Sequence, residues 1–198
     1  MIKKVSIAIT FGSLVLTTLW LGLYFSKEPD LGRLDAFSQV IRSEEGSIIN
    51  LRLTPSGHWR EKAALSNIDK KLVDMLVAYE DKRFMSHYGV DPIALIRATY
   101  NSLTSGSIVS GASTLTMQTV RLMHPELRER KITTKLRQML EALRLERHFT
   151  KEEILEAYFS LAPYGGNIEG VEAASEAWFQ KRPNVLTMSE AALLVALP

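Results

Sequence analysis

Residues 79–91 read YEDKRFMSHYGVD. An apolar run precedes them (Leu72, Val73, Met75, Leu76, Val77), and the stretch ends on Asp91-Pro92. An acid followed by proline reads as an N-cap with proline at the first helical position. The stretch is therefore a junction between helical segments, and it sets the expectation of a mainly α fold. Within it, the adjacent carboxylates Glu80 and Asp81 close the apolar run, and a basic pair, an aromatic, a histidine and a glycine follow. A carboxylate at the rim of an apolar helix is where burial can move a pKa towards neutrality, as a general base requires. The same residues also fit a solvated helix end with a turn, and their chemistry alone leaves both readings open.

Towards the amino end, Val40–Ile41 and Ile48–Leu53 flank Glu44-Glu45-Gly46, which suggests a small β-hairpin. Pro55-Ser56-Gly57 turns the chain again. From about Asp69 onward the pattern is helical. Gly106 follows the last apolar positions of the helix opened by Pro92, and either Ser113 or Thr114 can cap the next, which stops before Pro125. An amphipathic segment from Ile132 to Arg147 gathers Leu136, Met139, Leu140 and Leu143 on one face. Thr150-Lys-Glu-Glu153 is a capping box, Gly165-Gly166 is expected to break the helix it opens, and two more helices are expected near Val171–Phe179 and Ser189–Leu197. There is no internal repeat and no low-complexity tract.

The 198 residues suit one membrane anchor and one further domain. Val5 to Phe25 is a run of 21 residues without a charge, preceded by Lys3 and Lys4. At ~1.5 Å per residue it can span a hydrocarbon core of about 30 Å. The leading lysines place residues 1–4 in the cytoplasm and the remainder outside. The run exceeds the roughly 7–15 residues of a signal-peptide core, and no small-residue cleavage site follows, so a retained anchor over residues 5–25 is expected. Residues 26–66 read as a linker and hairpin region. The absence of cysteine excludes disulfides and thiolate metal sites. A net charge of +2 with no dense basic block argues for no nucleic-acid partner. Eight basic residues do fall between Arg121 and Arg147. They fit a solvated face paired with Glu126, Glu129, Glu141 and Glu146 as well as they fit a site for an anionic substrate.

Three later stretches join the first: GASTLTMQTVR from Gly111, TKLRQMLEALRLE from Thr134 and KEEILEAYFSLAPYGG from Lys151. Together, in this order, they resemble the motifs of the family 51 glycosyltransferases, the peptidoglycan transglycosylase domains of class A penicillin-binding proteins. The first motif, EDxRFxxHxGxD, is met by Glu80, Asp81, Arg83, Phe84, His87, Gly89 and Asp91. The second, GGSTITQQ, is met by Gly111, Ser113, Thr114, Thr116 and Gln118, with Ala112 and Met117 as departures. The resemblance runs from about Val40 to Pro198. The GAST start, TKLRQ and the AP-aromatic-GG turn are most similar to the penicillin-binding protein 1C subgroup.

The resemblance implies a lysozyme-like helical lobe over residues 67–198 beside a smaller membrane-proximal jaw. It implies a single-pass protein of the bacterial inner membrane with its catalytic domain on the extracytoplasmic side. The implied reaction polymerises lipid II: the acceptor 4-hydroxyl attacks the donor's anomeric carbon and lipid pyrophosphate leaves. Glu80 matches the catalytic glutamate and is assigned as general base. Arg121 and Lys135 match cations near the pyrophosphate. Ser113, Thr114 and Gln118 match the polar second motif, whose backbone N–H groups at a helix start suit phosphate oxygens. Asp81 and Arg83 join them as substrate-binding candidates, while His87 and Asp91 are expected to shape the loop. No cofactor is required, and a divalent cation at the pyrophosphate is compatible with the site; the lone His87 makes no case for zinc. Expected partners are lipid II, the growing glycan, the membrane and other cell-wall synthesis proteins.

The third family motif, RKxxE, departs most. Thr134 and Gln138 stand at its Arg and Glu positions, so Gln138 is the candidate at the second catalytic position, able to hydrogen-bond but not to carry charge. Glu141, three residues on, is a less favoured substitute. In the fourth motif Phe159 and Ser160 replace the usual Leu-Asn. Two other classes of function stay open at this point, a lytic enzyme on finished glycan and a non-catalytic tethered scaffold. The apolar face of the last helix (Ala191, Leu193, Leu194, Val195, Leu197) gives the expectation that the domain is incomplete at its carboxyl end.

Overall fold

The computed structural model describes Gly22 and residues 28–105, 112–129 and 131–198. The expected anchor at Val5–Phe25 lies, but for Gly22, outside the described residues, as do Gly106 and Gly111; among the described residues no helix is long and apolar enough to cross a membrane. The fold is mainly α with little sheet. Strands β1 (Gln39–Arg42) and β2 (Ile48–Arg52) form the expected hairpin, pairing Gln39 with Arg52 and Val40 with Leu51, with a bulge between Ile41 and Arg42. Two short strands, β3 (Trp59–Arg60) and β4 (Ile168–Glu169), pair in parallel. That pairing binds the amino-terminal region into the helical body.

Seven α-helices are described. They are α1 (Lys70–Glu80), α2 (Pro92–Ser105), α3 (Leu115–Met123), α4 (Ile132–His148), α5 (Lys151–Leu161), α6 (Val171–Phe179) and α7 (Met188–Ala196). Their starts obey local chemistry. Asp69 caps α1 through Lys71 N, and Asp91 Oδ1 accepts from Ile93 N and Ala94 N at the head of α2. Of the two candidates for α3, Thr114 is the cap, accepting from Met117 N. Thr150 and Glu153 close the expected capping box on α5, and Thr187 with Glu190 makes a second one on α7. Helix α5 stops at Leu161, before Pro163, and so ends ahead of Gly165-Gly166.

Helix α3 is central, because both its apolar and its polar small residues are enclosed: Leu115, Met117, Thr116 and Thr119 are all at most 1% exposed. It packs on α4 and α5, while α1 packs on α7. Ala191, Leu194 and Val195 of α7 are buried, while Leu193 and Leu197 remain exposed. The α4 face differs from the expected one. Thr134, Gln138, Ala142 and Leu145 point inward, whereas Leu136 and Leu140 are exposed. The reason is a close approach: Gly89, at φ +66°, lies so near that a Cβ would meet the Ala142 backbone at 2.6 Å. Only a small face of α4 fits there.

The chain before β1 is packed too. Gly32–Asp35 is a 3-10 turn, the Asp30 carbonyl lies 3.0 Å from His124 Nε2, and Arg33 reaches Glu169 at 2.5 Å. Arg60 is 1% exposed and gives Nε and Nη2 to Glu169 Oε2, at 2.9 and 2.5 Å. Its Nη1 donates to the carbonyls of Arg33 and Ala36.

Candidate active site

Helix α1 ends at Glu80, and the chain leaves it at Asp81 in an extended conformation. This break separates the two carboxylates. Asp81 turns inward, 7% exposed, where Oδ2 accepts from Leu115 N (3.0 Å) and lies 3.0 Å from His87 Nε2. It clamps the loop to the start of α3, and both contacts are with protein. Glu80 stays at the rim of a cleft of about 310 Å³, lined also by Lys82, Arg83, Arg97, Asp91, Ser113 and Thr114. Gln118 Nε2 donates to Glu80 Oε2 at 2.7 Å. Oε1 has no protein partner among the described residues.

Arg121 is one helical turn beyond Gln118 on α3, and both it and Lys135 are half-buried. Neither is paired with a carboxylate among the described residues; Lys135 donates to Ser113 Oγ at 2.6 Å. Burial holds the Arg121 guanidinium below its ordinary pKa, helped by Arg128 and opposed by the carboxylate of Glu80. Burial likewise pulls Lys135 below the usual lysine range, with Arg121 as a second cause. Two half-buried cations that repel each other, with no ion-paired carboxylate, favour an anion beside them.

The other expected residues serve the frame. Arg83 makes a bidentate pair with Asp91 Oδ2 (2.9 and 2.6 Å), tying the loop to the cap of α2. Thr114 Oγ1 donates to the Gly89 carbonyl at 2.5 Å while capping α3. Gln138, expected at the second catalytic position, is 5% exposed and gives its amide N–H to the Leu127 carbonyl at 2.6 Å. Glu141 is paired with Arg144 at 2.9 Å and lines a different cleft, with His124 and Glu126. Ser160, at the position of the family's Asn, is buried and bridges Ala63 N and the Glu156 carbonyl. Among the described residues no three His, Asp or Glu side chains are placed to hold a metal.

Two residues at the site carried no sequence signal. Arg97 reaches the cleft wall from α2. Tyr158, 4% exposed on α5, has its hydroxyl held far above its usual pKa by burial first and by Glu80 next, with Arg121 opposing. A third surprise is Glu146. It reads as one of the glutamates on a solvated face, yet its side chain is 3% exposed.

The family described as Transglycosylase matches residues 46–198. Penicillin-binding protein 1C of Escherichia coli (strain K12) is 39% identical over 161 residues, 81% of this chain and 21% of the relative. Penicillin-binding protein 1A of Aquifex aeolicus (strain VF5) is 38% identical over 135 residues, 68% of this chain and 18% of the relative. Penicillin-binding protein 1F of Bacillus subtilis (strain 168) is 31% identical over 210 residues, which take in 100% of this chain and 28% of the relative. The chain thus spans between 18% and 28% of the length of these relatives.

Proposed function

The chain belongs to the transglycosylase family, and from that premise we propose that it is a peptidoglycan glycosyltransferase that polymerises lipid II into glycan strands. The observation that carries this reading is the pair Arg121 and Lys135, half-buried and without a carboxylate partner among the described residues, close to a carboxylate with one free oxygen.

In the proposed reaction Glu80 Oε1 takes the proton of the acceptor 4-hydroxyl as that oxygen bonds to the donor's anomeric carbon. The bond from that carbon to the pyrophosphate oxygen breaks, and the electron pair leaves with the phosphate. The leaving group is already anionic, so its growing charge calls for cations more than for an acid. Arg121 and Lys135 supply them, with Ser113 fixing the ammonium. Gln118 holds Oε2 of Glu80 and leaves Oε1 to face the substrate. Asp81, Arg83 and Thr114 keep the loop and α3 in register, and Gln138 anchors α4 to the turn before it. The reading has room for a divalent cation riding on the pyrophosphate; chelator added to the assay tests for one.

The same reading places Val5–Phe25 across the bacterial inner membrane and residues 26–198 on its outer side, where membrane-borne lipid II, growing glycan and other wall-building proteins are met. Protease added to spheroplasts should digest the outer part. The deciding experiment is a lipid II polymerisation assay on purified chain in detergent, with finished glycan as the alternative substrate. Long glycan products from lipid II support the proposal. Cleavage of finished glycan with no polymer would replace it by a lytic activity.

A further inference from the structure

An ion pair between the half-buried Lys151 and the buried carboxylate of Glu146 lies outside the residues assigned so far. Lys151 Nζ donates to Glu146 Oε1 at 2.7 Å and to the His87 carbonyl at 2.7 Å, and lies 2.6 Å from Glu146 Oε2. It also sits 4.4 Å from the centre of the Phe84 ring. Glu146 Oε1 in turn accepts from Thr116 Oγ1 at 2.5 Å. One ammonium therefore joins the end of α4, the start of α5, the loop that follows Glu80 and, through Glu146, helix α3. Thr116 is two residues before Gln118, whose amide holds Glu80.

We infer that Lys151 and Glu146 are positioning residues that fix α3 against the Glu80 loop and so set the Glu80–Gln118 contact. Three facts favour this over general stabilisation. Both hydrogen bonds of the ammonium go to a partner that belongs either to the loop or to the α3 contact. Neither residue is among those that line the cleft. The same loop is already bound to α3 from its other side, by Asp81 on Leu115 N, so the pair supplies the second of two fixed points. Two points define an orientation where one leaves a hinge.

The inference rests on the proposed function for its kinetic half only. Removing one charge would strand the other in the interior, so the first variant is the neutral double, Glu146→Gln with Lys151→Gln. The expected result is a folded protein whose kcat on lipid II falls about tenfold to a hundredfold while KM stays within about twofold, the signature of a displaced reacting group. Lys151→Arg, which can still reach Glu146 and the carbonyl, should recover most of that loss. Amide exchange supplies a readout without substrate. Leu115 N–H, held by Asp81, and the amides of residues 84–90 should lose protection in the double variant, while α6 and α7 keep theirs. Unchanged kcat per folded molecule, or loss of protection spread evenly over all helices, would overturn the inference. If the wild type polymerises no lipid II, the functional reading fails by itself, and the exchange pattern still decides whether the pair orients the loop.

Discussion

Two groups of inward-facing cations are treated in opposite ways. At the base of the molecule Arg60 is wholly buried and answered: Glu169 takes two of its hydrogen bonds, backbone carbonyls take two more, and Arg33 completes the carboxylate from the other side. Beside the cleft Arg121 and Lys135 are half-buried, face each other's charge and are paired with no carboxylate among the described residues. Both arrangements cost desolvation. In the first the protein meets the cost internally, and the result is architecture, a knot between the chain before β1, β3 and β4. In the second the compensation is left for something that arrives from outside. An unmatched buried charge is thus the more informative sign of function, and a matched one of fold.

The hardest blow to this contrast falls on Glu80, the acid nearest the unmatched pair. Glu80→Gln keeps shape and the contact with Gln118 but takes no proton. Turnover on lipid II should fall about 100- to 10,000-fold, the usual worth of a general base, with little change in melting temperature. A folded Glu80→Gln variant turning over at the wild-type rate would detach the cleft from the chemistry.

Next in size is the knot. Arg60→Ala strands Glu169 inside and should cost about 3–5 kcal/mol of stability, a drop of roughly 6–20 °C in Tm for a chain of this size. The double Arg60→Met, Glu169→Met should lose less, because no charge is left alone. Equal losses in single and double would mean that packing, and not charge compensation, holds this corner.

The cleft cations should behave in the reverse way. Arg121→Ala or Lys135→Ala removes a charge-assisted contact of about 1.5–3 kcal/mol to the donor, or roughly ten- to a hundredfold in kcat/KM. Stability should stay level or rise, since a poorly compensated charge has been removed. Lys70→Ala, in an exposed pair with Asp74, is the control and should change neither. The contrast between the two regions collapses if the cleft variants melt as early as Arg60→Ala.

These pairs also mark where the sequence could be read. Caps need only neighbours, so Asp91, Thr114 and the Thr150–Glu153 box were legible, as was the hairpin from its alternation. The motif pattern keeps Glu80, Asp81, Arg83, Asp91, Ser113 and Thr114 in order along the chain, and all six line one cleft, whereas Arg97, which also lines it, belongs to no motif. Arg60 and Glu169 are 109 residues apart, and nothing local distinguishes either from a surface charge. Glu146 is hard to place for the same reason: the charge pattern fits a solvated face, and only its contact with Thr116, 30 residues earlier, takes it inside. The α4 face failed on a different point. Hydrophobic periodicity assumes that apolar mass points inward, but Gly89 against Ala142 demands a small face there, which turns Leu136 outward.

The smallest expected effect is in the pH dependence, where donor binding and stability should part in sign. Lys135 has its pKa lowered by burial and then by Arg121, so in the cleft it gives up its proton before an exposed lysine, at about 10.4, would. As pH rises through that lowered value, donor binding should weaken. Stability should move the other way: between the folded and unfolded values the unfolded chain holds more protons, and stability then increases with pH. For Glu169 burial raises the pKa, but the hydrogen bonds of Arg33 and Arg60 prevail and leave it lowered. Its contribution is present above the unfolded carboxyl value of about 4.3 and is lost as pH falls through the folded one. The knot should therefore weaken in acid and the cleft lose its donor in alkali. The decisive measurement is KM for lipid II from neutral to alkaline pH in wild type and in Lys135→Arg. The guanidinium stays charged throughout, so the alkaline rise in KM should vanish in the variant. An identical rise in both proteins would assign it to another group and remove Lys135 from the pyrophosphate.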